Sequence, residues 1–167
     1  MNPVPHRDHQ DLALSLGSWL LQHWDRLPGN KVFSDRNVSL PGGWPNNYRI
    51  PDLVLTTAER FHYDHGTHIE CPPLVCVEIH SPNDEAYEKL DFYAQLGVPE
   101  IWIIDRDTKS VELFILADSG SYQLAKPSSA GWLTSSASGI ELMATEEETL
   151  AIRLVGNETS RAELPED

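Results

Sequence analysis

The stretch Leu74–Asp105, LVCVEIHSPNDEAYEKLDFYAQLGVPEIWIID, decides the fold. Its two ends, 74–80 and 98–105, are short runs rich in Val and Ile and apolar at nearly every position, which reads as strands buried on both faces of a sheet. Between them Ser81-Pro82-Asn83-Asp84 is helix-start chemistry. The spacing predicts a helix over 84–96, stopped by Gly97. A strand, a helix and a strand in succession make a right-handed crossover, so the two strands are expected to be parallel neighbours.

Outward from this unit, Asp107-Thr108-Lys109-Ser110 is a polar turn and 111–116 its hairpin partner, with a further outer strand at 120–125. Upstream, Leu12, Leu16, Trp19, Leu20 and Trp24 recur at three- and four-residue spacing, predicting a helix over 11–24 capped by Asp8 or Asp11 and ended by Pro28-Gly29. Strands are expected at 32–40 and 48–56, separated by Pro41-Gly42-Gly43, with Pro51 marking an edge or a bulge. Residues 57–73 are polar and His-rich, a helical turn plus loop. From about residue 141 the chain reads as an acidic C-terminal region, with Glu146, Glu147 and Glu148 before Leu150-Ala151-Ile152. The order implies one α/β domain over 1–167 with a mixed sheet flanked by helices.

Composition limits the function. The 167 residues are 40% hydrophobic and 23% charged, ordinary globular usage that excludes a disordered, collagenous or coiled-coil chain. Twelve Lys and Arg stand against 26 Asp and Glu, a net charge of −14. That field opposes phosphate backbones, so nucleic-acid binding requires a local basic region. Arg49, Arg60, Lys89, Arg106 and Lys109 supply only a modest one. Cys71 and Cys76 make no disulfide framework, residues 1–11 lack the apolar core of a signal peptide, and no apolar run is long enough to span a bilayer. The expectation is a soluble cytoplasmic protein with no membrane partner.

Two carboxylates stand where the pattern wants apolar residues: Asp52 in Ile50-Pro51-Asp52-Leu53-Val54, and Glu78 in Val75-Cys76-Val77-Glu78-Ile79. A buried carboxylate is costly unless it is paired, hydrogen-bonded or metal-bound. Strand alternation puts Cys76, Glu78 and His80 on one face and Val75, Val77 and Ile79 on the other. Lys89 falls at the boundary of the helix stripe formed by Ala86, Leu90, Tyr93 and Ala94, where its stem can lie on the core and its amine reach a cleft. The plainer alternatives are a turn role for Asp52 after Pro51, a solvated Lys89, a structural His80 and a core Tyr93. Glu100, Trp102 and Asp105 read as packing and turn chemistry.

Pro51-Asp52, then Pro73–Pro82, then Lys89 with Tyr93, then Gly97–Asp105 follow one another in an order that resembles the "Uma-two" restriction endonuclease family, a branch of the PD-(D/E)XK nuclease-like superfamily, over about residues 9–116. The resemblance implies a restriction-endonuclease-like fold and hydrolysis of phosphodiester bonds, DNA before RNA. It implies a Mg²⁺ or Mn²⁺ ion on Asp52, Glu78 and the backbone carbonyl of Ile79, which suits a hard cation. The superfamily lysine usually stands two residues after the glutamate, where this chain has His80. By resemblance Lys89 takes over that role, leaving His80 as a water-positioning group or an ordinary strand residue. His9 matches a position that is often polar in the family. A homodimer would double the phosphate-binding groove. The second reading, favoured by the −14 charge, is a nuclease fold with little or no catalysis acting as a binding or interaction module. Removal of Glu78 is expected to leave the fold intact, because a carboxylate buried for a metal costs stability.

A rival constellation, His62, His65 and His68 with Glu70 and Cys71, reads as a solvated loop rather than a zinc site. Three-residue spacing shares a face only in a helix, Gly66 interrupts one, and there is no Cys-Xaa-Xaa-Cys pair.

Overall fold

The computed structural model describes residues 6–82 and 84–165. Helix α1, Arg7–His23, buries Leu12, Leu16, Trp19 and Leu20 as its stripe predicts. It starts earlier than expected. His6 is the N-cap and its Nδ1 accepts the Asp8 N–H at 3.3 Å, so neither Asp8 nor Asp11 caps the helix.

Both strands expected next are broken. The first becomes β1 (Asn30–Ser34) and β2 (Asn37–Ser39), because Asp35 turns the chain at φ 47°. The second becomes β3 (Tyr48–Arg49) and β4 (Leu53–Thr57), split around Pro51, which has no N–H for a ladder. A 3₁₀ stretch, Ala58–Tyr63, leads to β5 (His68–Ile69) and β6 (Val75–His80). The expected helix 84–96 is shorter: a 3₁₀ turn, Tyr87–Lys89, runs into α2 (Leu90–Leu96). Asn83, part of the expected helix start, lies outside the described residues. Gly97 ends α2 in the left-handed region at φ 86° and donates its N–H to the Tyr93 and Ala94 carbonyls. A Cβ there would meet nothing within 4 Å, so backbone conformation and not space calls for glycine.

Strands β7 (Glu100–Asp105), β8 (Val111–Leu116) and β9 (Tyr122–Leu124) complete a six-stranded mixed sheet of order β1-β4-β6-β7-β8-β9. β6 and β7 are parallel, with Val75 opposite Glu100 and His80 opposite Asp105, as the crossover requires. The two faces of the sheet build two cores. Leu53, Leu55, Val75, Val77, Ile79, Trp102 and Ile104 pack toward α1. Val54, Cys76, Ile101 and Ile103 pack toward Phe92, Tyr93 and Leu96 of α2. β3, β2 and β5 form a small separate sheet.

The acidic C-terminal region is not a tail. It folds as an antiparallel sheet of β10 (Leu133–Ser135), β11 (Ile140–Ala144), β12 (Leu150–Leu154) and β13 (Asn157–Leu164). Its charges point outward, while Leu133, Ile140, Leu142, Leu150, Ile152 and Leu164 join the core beneath α1. The indole N–H groups of Trp19 and Trp24 donate to the Ser160 and Ser138 carbonyls, each at 2.8 Å. Glu100, 1% exposed, accepts from Ser135 Oγ at 2.5 Å, Ser136 Oγ at 2.9 Å and the Ala137 N–H at 2.9 Å. A buried carboxylate on β7 thus ties the second sheet to the first.

Candidate active site

Asp52 immediately precedes β4, and Leu53 stands opposite Val77 in the antiparallel β4–β6 pair. One further step of the same register sets Asp52 opposite Glu78. The ladder stops short of that step, and Asp52 Oδ2 accepts the Ile79 N–H at 2.6 Å instead. The carbonyl of Ile79 leaves the strand on the same edge as its N–H, whereas the next carbonyl, that of His80, faces β7 and accepts the Arg106 N–H. Asp52 therefore sits at a sheet end from which both faces are within reach. On the α1 side His9 Nε2 lies 3.4 Å from Asp52 Oδ1, and the hydrogen bond to Asp52 raises the His9 pKa against the opposing effect of burial.

Glu78 faces α2 and is 3% exposed. Its Oε1 accepts the Tyr93 hydroxyl at 2.6 Å and its Oε2 accepts Lys89 Nζ at 2.6 Å. Lys89 also donates to the Ile50 carbonyl at 3.3 Å, so its amine projects to the Glu78 side of the sheet and bridges the Asp52 and Glu78 segments. Burial pushes the Glu78 carboxyl up from 4.5 to about 7. The Lys89 charge and the two hydrogen bonds hold it lower, and the Asp52 charge adds to the rise. An acid whose folded pKa is raised binds more protons folded than unfolded, so between about pH 4.5 and about pH 7 its contribution to stability falls as pH rises. In chelator-treated protein, urea unfolding across this window should show that decline. Glu78→Gln should remove that part of the slope, and identical slopes in the two proteins would reject the assignment.

The two partners of Glu78 alter the expectation for its removal. Glu78→Ala leaves the fully buried Tyr93 hydroxyl without an acceptor, at a cost of about 1–3 kcal/mol. The substitution that keeps shape is Glu78→Gln.

Tyr93, read from sequence as core, is core and also holds the carboxylate. The signal was present: it stands four residues after Lys89 toward the same strand, and a buried tyrosine hydroxyl needs a partner. Asp35 was missed altogether. Its N–H donates to the Asp52 carbonyl at 3.2 Å, and its own carboxyl is raised by burial and by the Asp52 charge. A cleft of about 680 Å³ opens on the α1 side of Asp52, lined by His9, Gly17, Val32, Asp35, Asp52 and Leu53 among others, while Glu78 and Lys89 lie outside its lining.

His80 is not brought into this cluster by hydrogen bonding. Its Nδ1 pairs with Asp84 Oδ1 at 2.8 Å and its ring meets Tyr87 edge-on. The basic groove expected from sequence is thinner than its residue count. Arg49 donates to the Tyr48 carbonyl and lies over the Phe92 ring, and Arg60 bonds the Pro72 carbonyl. Arg106 pairs with Asp107, and the largely buried Lys109 donates to the Arg106 and Asp107 carbonyls.

Asp52, Glu78 and the Ile79 carbonyl are all oxygen donors, the set a hard divalent cation prefers. Cys76 shares the Glu78 face, but burial pushes its thiol well above the ordinary range, so it offers no thiolate. No helix among the described residues is long and apolar enough to cross a membrane.

No curated protein matches the chain. Among solved structures, a crystal structure described as that of a putative nuclease belonging to DUF820 from Anabaena variabilis is similar in fold. It has a TM-score of 0.62 at 15% identity, over 81% of this chain and 76% of that one. A family model described as "Putative restriction endonuclease" matches residues 1–151, well past the 9–116 that the motifs suggested and through β10 and β11. On a match across most of its length, together with a mixed α/β sheet of the corresponding fold, this chain belongs to the Uma2 family of restriction-endonuclease-like proteins.

Proposed function

We propose that the chain is an endonuclease that hydrolyses phosphodiester bonds, with DNA as substrate and Mg²⁺ or Mn²⁺ held by Asp52, Glu78 and the Ile79 carbonyl. The observation that carries this reading is the buried Glu78 with an ammonium at 2.6 Å and Asp52 at the adjacent strand end. A bound divalent ion would supply charge for the scissile phosphate and a more acidic water. The protein's own groups set the geometry around it. The Ile79 N–H fixes the rotamer of Asp52, and the Tyr93 hydroxyl fixes that of Glu78. Lys89 keeps a positive charge at the mouth of the site, where it can orient an attacking water and balance charge developing on the phosphate. His9 steadies the other oxygen of Asp52 from the cleft side.

The test is nicking of supercoiled plasmid by purified protein across Mg²⁺, Mn²⁺ and Ca²⁺ and across salt. Cleavage should require Mg²⁺ or Mn²⁺ and should weaken steeply as salt rises, since few free cations offset a net charge of −14. The engagement of Arg49, Arg60, Arg106 and Lys109 within the fold favours the second reading, a binding module. Absence of metal-dependent cleavage under every condition, together with no metal binding at Asp52 and Glu78, would establish it.

A further inference from the structure

A second group of ligand-type side chains lies in and around β5, away from the sheet that carries Glu78. One ring nitrogen from each of His65 and His68 and one carboxylate oxygen of Glu70 lie within 4.8 Å of one another. The helix that such spacing was expected to need is absent. Gly66, at φ 77°, turns the chain instead, the His65 N–H donates to the His68 carbonyl at 2.9 Å, and β5 carries His68 back past His65. His68 Nε2 is 3.2 Å from Glu70 Oε1, and His65 Nε2 is 3.7 Å from Glu70 Oε2. Donors sharing one tetrahedral ion at zinc distances stand about 3.3 Å apart. The two histidine–carboxylate distances, to different Glu70 oxygens, are near that, and the 4.8 Å bound on the three donors requires the half-exposed His65 to move inward to complete the set.

The loop is held in this shape by groups outside the cluster. Arg36 pairs with Asp64 and donates to the Gly66 carbonyl, and Asn37 Nδ2 donates to the Thr67 carbonyl at 2.8 Å. The Trp44 indole stacks on the His68 ring at 4.7 Å, and Thr67 Oγ1 engages His68 Nδ1 at 2.9 Å, leaving Nε2 on the Glu70 side. Anchoring the far ring nitrogen in this way orients a ligating histidine. The His68 side chain is 9% exposed and that of His65 is 48% exposed. One ligand is therefore fixed in the fold while the other leaves a side open to solvent. His62 and Cys71, also in the sequence constellation, stand outside the three.

The geometry points to a second cation site on His65, His68 and Glu70, one that takes a borderline divalent transition ion of the Zn²⁺ class with a fourth position open to water. Two imidazoles and one carboxylate select such an ion over Mg²⁺, which prefers oxygen. The ion would clip the loop after the 3₁₀ stretch onto β5, and it does not depend on nuclease activity.

The experiment uses full-length, chelator-treated protein titrated with Co²⁺, followed by visible absorption, and with Zn²⁺, followed by calorimetry. One equivalent should bind with a tetrahedral Co²⁺ spectrum. His65→Asn and Glu70→Gln should each weaken binding at least about tenfold. The half-exposed position of His65 and the matched shape of Gln keep both variants folded, which circular dichroism checks. An Asp52→Asn, Glu78→Gln protein should keep the tetrahedral Co²⁺ complex with the parent's affinity. Absence of a stoichiometric Co²⁺ complex would overturn the assignment. So would undiminished binding in both His65→Asn and Glu70→Gln, which would place the ion on other histidines. Loss of the tetrahedral Co²⁺ complex in the Asp52→Asn, Glu78→Gln protein would equally overturn it, by placing that ion at the first site.

Discussion

A Glu78→Gln protein is expected to lose metal-dependent nicking of plasmid DNA by about a hundredfold to a thousandfold, the scale on which one electrostatic group at a reacting centre acts. The change is one oxygen for one NH₂. It keeps an acceptor for the Tyr93 hydroxyl and fills the same space, so Phe92, Tyr93 and Leu96 can pack as before. It removes the negative charge that Lys89 balances and that a cation would need. The same site therefore distinguishes folding from chemistry: unfolding should stay cooperative while cleavage disappears. The Ala variant is a poorer probe, because a loss of activity there could follow from the orphaned Tyr93 hydroxyl. Cleavage that persists in pure Glu78→Gln protein would mean a different active centre, and the residue assignment would be wrong although the family membership stands.

Ending the chain after Ala125 should abolish cooperative folding. The deleted sheet supplies Leu133, Ile140, Leu142, Leu150, Ile152 and Leu164 to the core shared with α1 and β6. At about 1.5–3 kcal/mol for each buried aliphatic side chain, these six match or exceed a typical net stability of about 5–15 kcal/mol. Truncation also strands polar groups. The indoles of Trp19 and Trp24 lose the Ser160 and Ser138 carbonyls, and Glu100 loses Ser135, Ser136 and the Ala137 N–H. The check is thermal unfolding followed by near-ultraviolet circular dichroism. A sharp transition in the shortened protein would show that the second sheet is an appendage. The full chain is expected to melt in a single step through both sheets.

What the sequence by itself determined lies on single elements. The unit 74–105 was legible because both strands and the helix between them are continuous runs with local start and stop signals, and handedness then leaves one arrangement. Period two placed Cys76 and Glu78 together on the α2 face of β6, with Val75, Val77 and Ile79 opposite, as the two cores show. The C-terminal strands also alternate, at Ile140-Glu141-Leu142 for example, but they are three to eight residues long and set among acidic residues. Such strands bury nothing until partners distant in sequence arrive, so composition alone made them look like a tail. The breaks at Asp35 and Pro51 likewise depend on which edge each strand presents to a neighbour. At the candidate site the residue types could be read from the chain, but their meeting could not. Lys89 and Tyr93 both reach Glu78 because α2 lies against the β6 face. Asp52 turns to the Ile79 N–H because the β4 ladder ends one residue early. His65, His68 and Glu70 converge because a glycine turn does what a helix was expected to do. Local periodicity reports which face a side chain takes. Which groups share that space is set by packing between elements far apart in sequence, and that was decided only in the tertiary structure.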